Sequence, residues 1–249
     1  MCTLVLAWQV FPDRPVAVAA NRDESLERES NPPGLLSEHP EIIAPSDAEA
    51  GGTWIGYNEF GLFAAVTNRW TDRELAGERS RGLLVRDALE AESAEVAARH
   101  VERAVEADEY EGFNLVVADE RAAILLEWDG QLRVRNLDPG VHVVMNTGAI
   151  GDVDIPESWP ERGERQAANG RAVREALQPE PGEGSDEWLD RAAEVLGDHE
   201  YGVCVHHEEF GFGTRSSSLV SIDGNGTGTY DFADGPPCRT PFEPVERRI

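Results

Sequence analysis

Thr3-Leu4-Val5-Leu6-Ala7-Trp8-Gln9-Val10 lies at the start of the chain. After the break Phe11-Pro12-Asp13-Arg14 comes Pro15-Val16-Ala17-Val18-Ala19-Ala20-Asn21. Side chains on a strand alternate between its faces, and here both alternating sets, Leu4/Leu6/Trp8 and Val5/Ala7, are apolar. Such a strand has to be covered on both sides. The proline-containing break predicts an antiparallel hairpin beginning at the chain's first residues.

Working outward, residues 25–50 carry Pro32, Pro33, Pro40 and Pro45 with scattered charges and no periodicity, which reads as a long ordered loop or lid ended by Gly51-Gly52. Short strands are expected at 54–57 and 61–67 around an Asn58-Glu59 turn. One helix is expected from 82 to about 107, where Leu89, Val96, Val101 and Val105 recur at helical spacing. Residues 113–118, 122–128, 131–136 and 141–145 read as a four-strand meander. Helices follow near 161–177 and 186–197, the second capped by Ser185 and buried through Trp188, Ala192 and Leu196. Strands at about 216–222 and 228–232 precede a proline-rich tail that wraps the surface. About nine strands in groups and three helices predict an α+β fold, a four-layer αββα sandwich with two antiparallel sheets between helices, in a single domain over 1–249.

Forty-eight acidic against 22 basic residues give a formal charge of −26, and no lysine occurs, so every fixed cation is arginine. A surface this acidic repels nucleic acid and anionic membranes, and self-repulsion destabilises the compact state until salt screens it. A halophilic cytoplasm is the expected setting. Cys2, Cys204 and Cys238 are an odd set without a C-x-x-C pair, which argues against a disulfide framework and a structural zinc site. The first apolar run is too short to span a bilayer and has no basic flank or cleavage site, so membrane insertion and export by a standard signal are not expected. Adjacent His206 and His207, followed by Glu208 and Glu209, point to opposite faces of a strand and do not share an ion. No metal is expected, and with no phosphate loop or Rossmann pattern, no cofactor either.

Cys2 is the foremost chemical candidate. A small residue after the initiator Met allows an aminopeptidase to expose it, and its own α-amine, with a reference pKa of about 7.7–8.0, then serves as the base that takes the thiol proton. Pairing of Cys204 with His206 or His207 is a competing arrangement, disfavoured because no helix N-terminus is evident to activate Cys204.

Four motifs occur in order: Met1-Cys2-Thr3; Asn21-Arg22-Asp23-Glu24; Asn58-Glu59-Phe60-Gly61-Leu62 leading to Thr67-Asn68-Arg69; and Gly213-Thr214-Arg215-Ser216-Ser217. Together they resemble the NRDE-motif family, also known as the transport-and-Golgi-organisation protein 2 family. More distantly the chain is similar to the choloylglycine hydrolase and penicillin V acylase group of N-terminal nucleophile hydrolases, which cleave amides through an N-terminal cysteine. That resemblance implies Cys2 as nucleophile, Asp23 beside its amine, Asn68 in the oxyanion hole, Asn146 as a second active-site asparagine, and Arg215 closing the site. Those acylases carry an arginine three residues before the aspartate, where this chain has Ala20. Arg22 stands two residues further on, on the same strand face and about 6.5–7 Å along, as a candidate substitute.

Arg22 and Arg69 are candidate substrate-binding residues, or with Glu24 a structural charge network. Two functions are compatible with these residues. One is a cysteine hydrolase cleaving a C–N bond in a small acyl-bearing molecule, and the other is a carrier that holds haem or a lipid-like hydrophobic ligand without chemistry.

The charge balance makes a direct prediction. Screening at about 1 M salt, where the Debye length is ~3 Å, should relieve self-repulsion. The melting temperature is expected to climb steadily as KCl is raised from low salt to molar concentration, and a flat profile would argue against a high-salt setting.

Overall fold

The computed structural model describes residues 2–247 and 249. In chain order the first sheet-forming segments are β1 (Thr3–Trp8), β2 (Val16–Ser25), β3 (Ser30–Glu38), β4 (Glu41–Asp47), β5 (Ile55–Asn58) and β6 (Phe63–Asn68). Helices α1 (Arg81–Ala88) and α2 (Ala94–Ala107) precede β7 (Phe113–Ala118), β8 (Ala123–Trp128), β9 (Leu132–Asn136) and β10 (Gly140–Met145). The short β11 (Gly148–Ala149) and β12 (Asp152–Val153) lead to α3 (Pro160–Ala176) and α4 (Ser185–Gly197). The chain continues through β13 (His206–His207), β14 (Phe212–Ile222), β15 (Gly228–Ala233) and β16 (Glu243–Pro244).

All six residues of β1 are buried, and the two apolar sets go to different cores, as the alternation requires. Leu4, Leu6 and Trp8, with Val16 and Val18, meet Ile43, Ile55, Phe63 and Val116 between the sheets. Val5, Ala7, Ala17 and Ala19 pack instead on Val173 of α3 and on Trp188, Ala192 and Leu196 of α4. A third core joins Ala64, Leu115, Val117 and Leu126 to Leu84, Val85 and Val101 of the other helix pair. The layers are therefore α3/α4, sheet, sheet, α1/α2, which is the expected αββα order. The first sheet runs β12-β11-β10-β1-β2-β14-β15-β16 with β13 on β14, and the second runs β3 to β9 in sequence order. Each large apolar side chain buried in these cores contributes about 1.5–3 kcal/mol.

Four expectations need correction. Residues 25–50 are not a loop, because β2 extends to Ser25 and β3 and β4 form an antiparallel hairpin. The prolines concealed it. Pro32 and Pro33 sit on the edge strand β3, inside a register shift between Asn31 and Gly34, where a missing N–H breaks no ladder bond. The single helix predicted from 82 is two, since Asn58 Nδ2 donates to the carbonyls of Leu89 and Ala91 at 2.7 and 2.8 Å, and Ser93 caps a fresh start by accepting from Val96 N.

The meander has three strands, not four: β10 crosses to the first sheet and pairs with β1. Val141, Val143 and Met145 lie in the α3/α4 core and Val144 between the sheets, a two-sided cover that the edge beyond β9 cannot supply. Gly184, not Ser185, is the N-cap of α4, with its N–H held by Glu187, while the Ser185 hydroxyl donates to Asp13. The tail does wrap the surface, with β16 pairing along β15.

Arg69 closes one end of the second sheet. Its guanidinium is 1% exposed and donates to Asn114 Oδ1 at 2.9 Å, Glu127 Oε1 at 3.0 Å and Asp154 Oδ2 at 3.2 Å. Gly148, at φ +102°, leaves the room: a Cβ there would stand 3.1 Å from both the Arg69 guanidinium and Glu127. Without Arg69, buried Glu127 would keep only its ion pair with Arg135, at 3.0 Å, and the Asn114 amide oxygen would lose the donor at 2.9 Å. Arg69→Ala is expected to lose about 3–5 kcal/mol in denaturant unfolding, and a loss below about 1 kcal/mol, the surface-pair range, would contradict a structural role.

Candidate active site

Three strand ends meet where β1 begins. Thr3 pairs with Asn21 across β1 and β2, which puts Cys2 beside Arg22 and Asp23. The Cys2 sulfur is half-buried and lies 3.6 Å from the Asp23 carbonyl oxygen. The Cys2 nitrogen donates to Asn146 Oδ1 at 3.1 Å, across the β1–β10 pairing. Asn146 in turn donates through Nδ2 to the Asn68 carbonyl at 2.7 Å and accepts Trp70 N on its own carbonyl at 2.9 Å. Cys2, Asp23, Asn68 and Asn146 are thus assembled at one place from four separate stretches of sequence. Met1, whose removal the chemistry requires, lies outside the described residues.

Strand alternation divides the Asn21-Arg22-Asp23-Glu24 motif between two faces. Asn21 Nδ2 donates to the carbonyls of Leu196 and Val203, each at 3.0 Å, and so anchors the end of α4. Asp23 Oδ1 accepts from the Thr214 hydroxyl at 2.6 Å, and burial pushes its carboxyl up to about 6, against that hydrogen bond. On the opposite face Arg22 lies over the Trp54 ring at 4.1 Å and 3.8 Å from both Glu24 and Asp47. Its Nη1 is buried and has no hydrogen-bond partner among the described residues. Burial, helped by the nearby Asp23 charge, pushes the Cys2 thiol up from its ordinary value, while the hydrogen bond to the Asp23 carbonyl and the nearby Arg22 pull against it.

Cys2, Arg22, Asp23 and Asn68 line one pocket with Glu24, Arg28, Asp47, Trp54 and Arg81. Asn68 is exposed at the end of β6. Two expected residues are elsewhere. Arg69, the next residue on β6, turns into the buried cluster with Glu127 and does not reach the pocket, which corrects its assignment to substrate binding. Arg215 occupies the bulge between Thr214 and Ser216, and it too is absent from the pocket wall. Thr214, its neighbour, is the residue that reaches Asp23. The Cys204–His206 contact exists at 3.5 Å, but burial pushes the Cys204 thiol up to about 11, away from a thiolate nucleophile.

Gln166 was not foreseen. It is fully buried on α3, donates to Asn146 Oδ1 at 2.9 Å and accepts from Thr147 N at 3.0 Å, fixing which way the Asn146 amide points. The available signal was a polar side chain at helical spacing among the small buried residues Gly163, Gly170 and Val173.

Solved structures with this architecture include penicillin V acylase from Agrobacterium tumefaciens, with a TM-score of 0.56 and 15% identity over 94% of this chain and 83% of that one. The Caenorhabditis elegans ortholog of N-acylethanolamine-hydrolyzing acid amidase matches with a TM-score of 0.56 and 12% identity over 88% of this chain and 92% of that one. At these identities the likeness is one of fold, that of the N-terminal nucleophile hydrolases. In sequence, the mouse and human Transport and Golgi organization 2 homologs are each 33% identical over 120 residues, spanning 44% of this chain and 43% of theirs. The profile described as Transport and Golgi organisation 2 matches residues 1–232, and the chain belongs to that family.

Proposed function

We propose that this chain is an N-terminal-cysteine hydrolase that cleaves the C–N bond of a small acyl-bearing molecule. The observation that carries the reading is the Cys2 nitrogen held 3.1 Å from Asn146 Oδ1, with the thiol on the same residue facing a pocket. Loss of Met1 converts that nitrogen into a primary amine in the same place. The amine takes the thiol proton, and the sulfur attacks the carbonyl carbon. The Asn68 amide stabilises the oxyanion, a contact of a kind worth about 2.7–4 kcal/mol. Collapse expels the leaving amine, which receives the proton, and forms a thioester. Water then attacks the thioester with the α-amine as base, releasing a carboxylic acid and restoring the thiol. In this reading Asp23, two residues beyond the Thr3 partner Asn21 on β2, is the carboxylate that holds the ammonium form. Arg22 Nη1, without a partner among the described residues, is the donor offered to a polar group of the substrate.

The pocket wall favours this reading over a carrier for haem or a lipid. Arg22, Asp23, Glu24, Arg28, Asp47 and Arg81 contribute to it beside Leu4, Ile55 and Val66. This mixed lining offers an acyl chain an apolar wall and its polar end charged partners, whereas sites for haem or lipid are lined mostly by apolar and aromatic side chains. The family name speaks of transport and Golgi organisation, and the two functions make opposite demands on Cys2. Among the described residues no helix is long and apolar enough to cross a membrane. A single domain acting on a small molecule in a salt-rich cytoplasm is the setting we infer.

Intact mass is the first measurement. Protein lacking one Met residue should hydrolyse members of a panel of small N-acyl amides, and Cys2→Ala should lower kcat by at least about a thousandfold with an unchanged circular dichroism spectrum. Full activity in purified Cys2→Ala would sink the proposal, and retention of Met1 would remove its base.

Asp23 gives a pH-dependent test. Its raised pKa means the native state holds this proton more tightly than the unfolded chain, so the contribution is fully present below about pH 4 and is lost as pH rises through about 6. Asp23→Asn is neutral throughout and lacks that loss. The variant's melting temperature relative to the parent should rise across this window, and a constant difference would mean that Asp23 titrates normally.

A further inference from the structure

At the far side of α4 four side chains that suit a metal ion converge from three segments of the chain. They are His199 in the turn after α4, Cys204, His206 of β13 and Cys238 in the tail, and their ligating atoms all lie within 4.8 Å of one another. His206 Nε2 is 3.5 Å from the Cys204 sulfur and 3.3 Å from the Cys238 sulfur. The rings of His199 and His206 meet edge to face with centroids 5.1 Å apart. Four ligands at tetrahedral angles around zinc, with Zn–S near 2.3 Å and Zn–N near 2.0–2.1 Å, stand about 3.3–3.8 Å from each other. The two His206–cysteine separations fall in that range before any ion is considered, and the remaining pairs lie within 4.8 Å, close enough for small side-chain rotations to complete the set.

From this geometry we propose that His199, Cys204, His206 and Cys238 form a tetrahedral structural zinc site. Two thiolates and two neutral imidazoles are a donor set that selects zinc among the common divalent ions, and the two thiol protons leave to solvent when the ion binds. Two thiolate charges balance the ion's two, so the complex is neutral. The ligands are four in number, which leaves no open position and makes the site structural and not hydrolytic. His207 takes no part: it turns to the opposite face and packs on Phe210. The expectation that the chain binds no metal came from the absence of a paired-cysteine motif, and it missed a site whose fourth ligand is 32 residues beyond the third in sequence.

Backbone features of the surrounding chain fit such a clamp. Gly202 closes the turn at φ +64°, where a Cβ would collide with the Asn169 amide at 2.5 Å. At Gly197 a Cβ would stand 3.3 Å from Cys238 N, so the tail lies directly on the end of α4. Zinc would thereby fix the tail to the helix end and to the segment that precedes β14. That segment also backs the reactive centre, because Val205 N donates to the Thr214 hydroxyl at 2.8 Å and that hydroxyl donates to Asp23. Cys238 lies beyond residue 232, where the family match ends. The proposal stands independently of the hydrolase reading, since none of its tests measures turnover.

The full chain, without a histidine tag and purified without chelator, should carry about one zinc per molecule by elemental mass spectrometry. Replacement by Co2+ should give the intense visible bands of a tetrahedral site and thiolate-to-cobalt charge transfer. Cys238→Ser, a change in the exposed tail, should weaken zinc binding at least about tenfold while the protein stays folded by circular dichroism. Adding Zn2+ to chelator-treated parent protein should raise its melting temperature. Substoichiometric zinc with no rise in melting temperature would overturn the site. So would octahedral cobalt spectra, or a mass two hydrogens short that maps to a Cys204–Cys238 disulfide.

Discussion

The antiparallel register that sets Thr3 opposite Asn21 and Leu4 opposite Val144 is the constraint on which the candidate site depends. A slip by one residue would exchange Leu4, Leu6 and Trp8 with Val5 and Ala7 between two cores of different shape. The space between the sheets would lose an indole and two leucines, and the helix-covered side, already filled by Trp188, would have to admit them. Packing at the middle of β1 therefore determines where its first residues point. Cys2 is aimed by side chains that never touch it.

From that fixed start, polar contacts spread outward in a definite order. Asn146 is gripped by Gln166 from below and reaches both Cys2 and Asn68, so one buried amide relates a thiol on the first sheet to an asparagine on the second. Buried amides of this kind are costly unless every partner is present, and so they specify a single arrangement. Asn21 does similar work on the opposite face by holding the carbonyls of Leu196 and Val203, which positions the end of α4 and the chain that follows it.

Strand β1 could be read from sequence because its alternation is complete, and its double burial carried the four-layer arrangement with it. The β3–β4 hairpin was hidden because prolines at an edge bulge are indistinguishable in sequence from prolines in a loop. The break between α1 and α2 was hidden because it depends on Asn58, more than thirty residues away from the carbonyls it captures. Site residues showed the same division. Cys2, Asp23 and Asn68 sit in motifs, Asn146 came from the acylase resemblance, and the structure brings them together, whereas Arg69 shares a motif with Asn68 but points the other way because neighbours on a strand must. Gln166 belongs to no motif, and on a helix of weak amphipathicity its spacing from Gly163, Gly170 and Val173 was a faint signal.

The Asn146 contacts also bear on the route by which a molecule arrives. They stitch β10 to the end of β6, closing the seam between the sheets on that flank of the thiol. Arg28, Asp47 and Arg81 line the same pocket, a wall of alternating charge whose members already pair with Asp47, Arg28 and Glu111 respectively. Those three side chains are satisfied already, and any group that parts one of those pairs must supply the contact it removes.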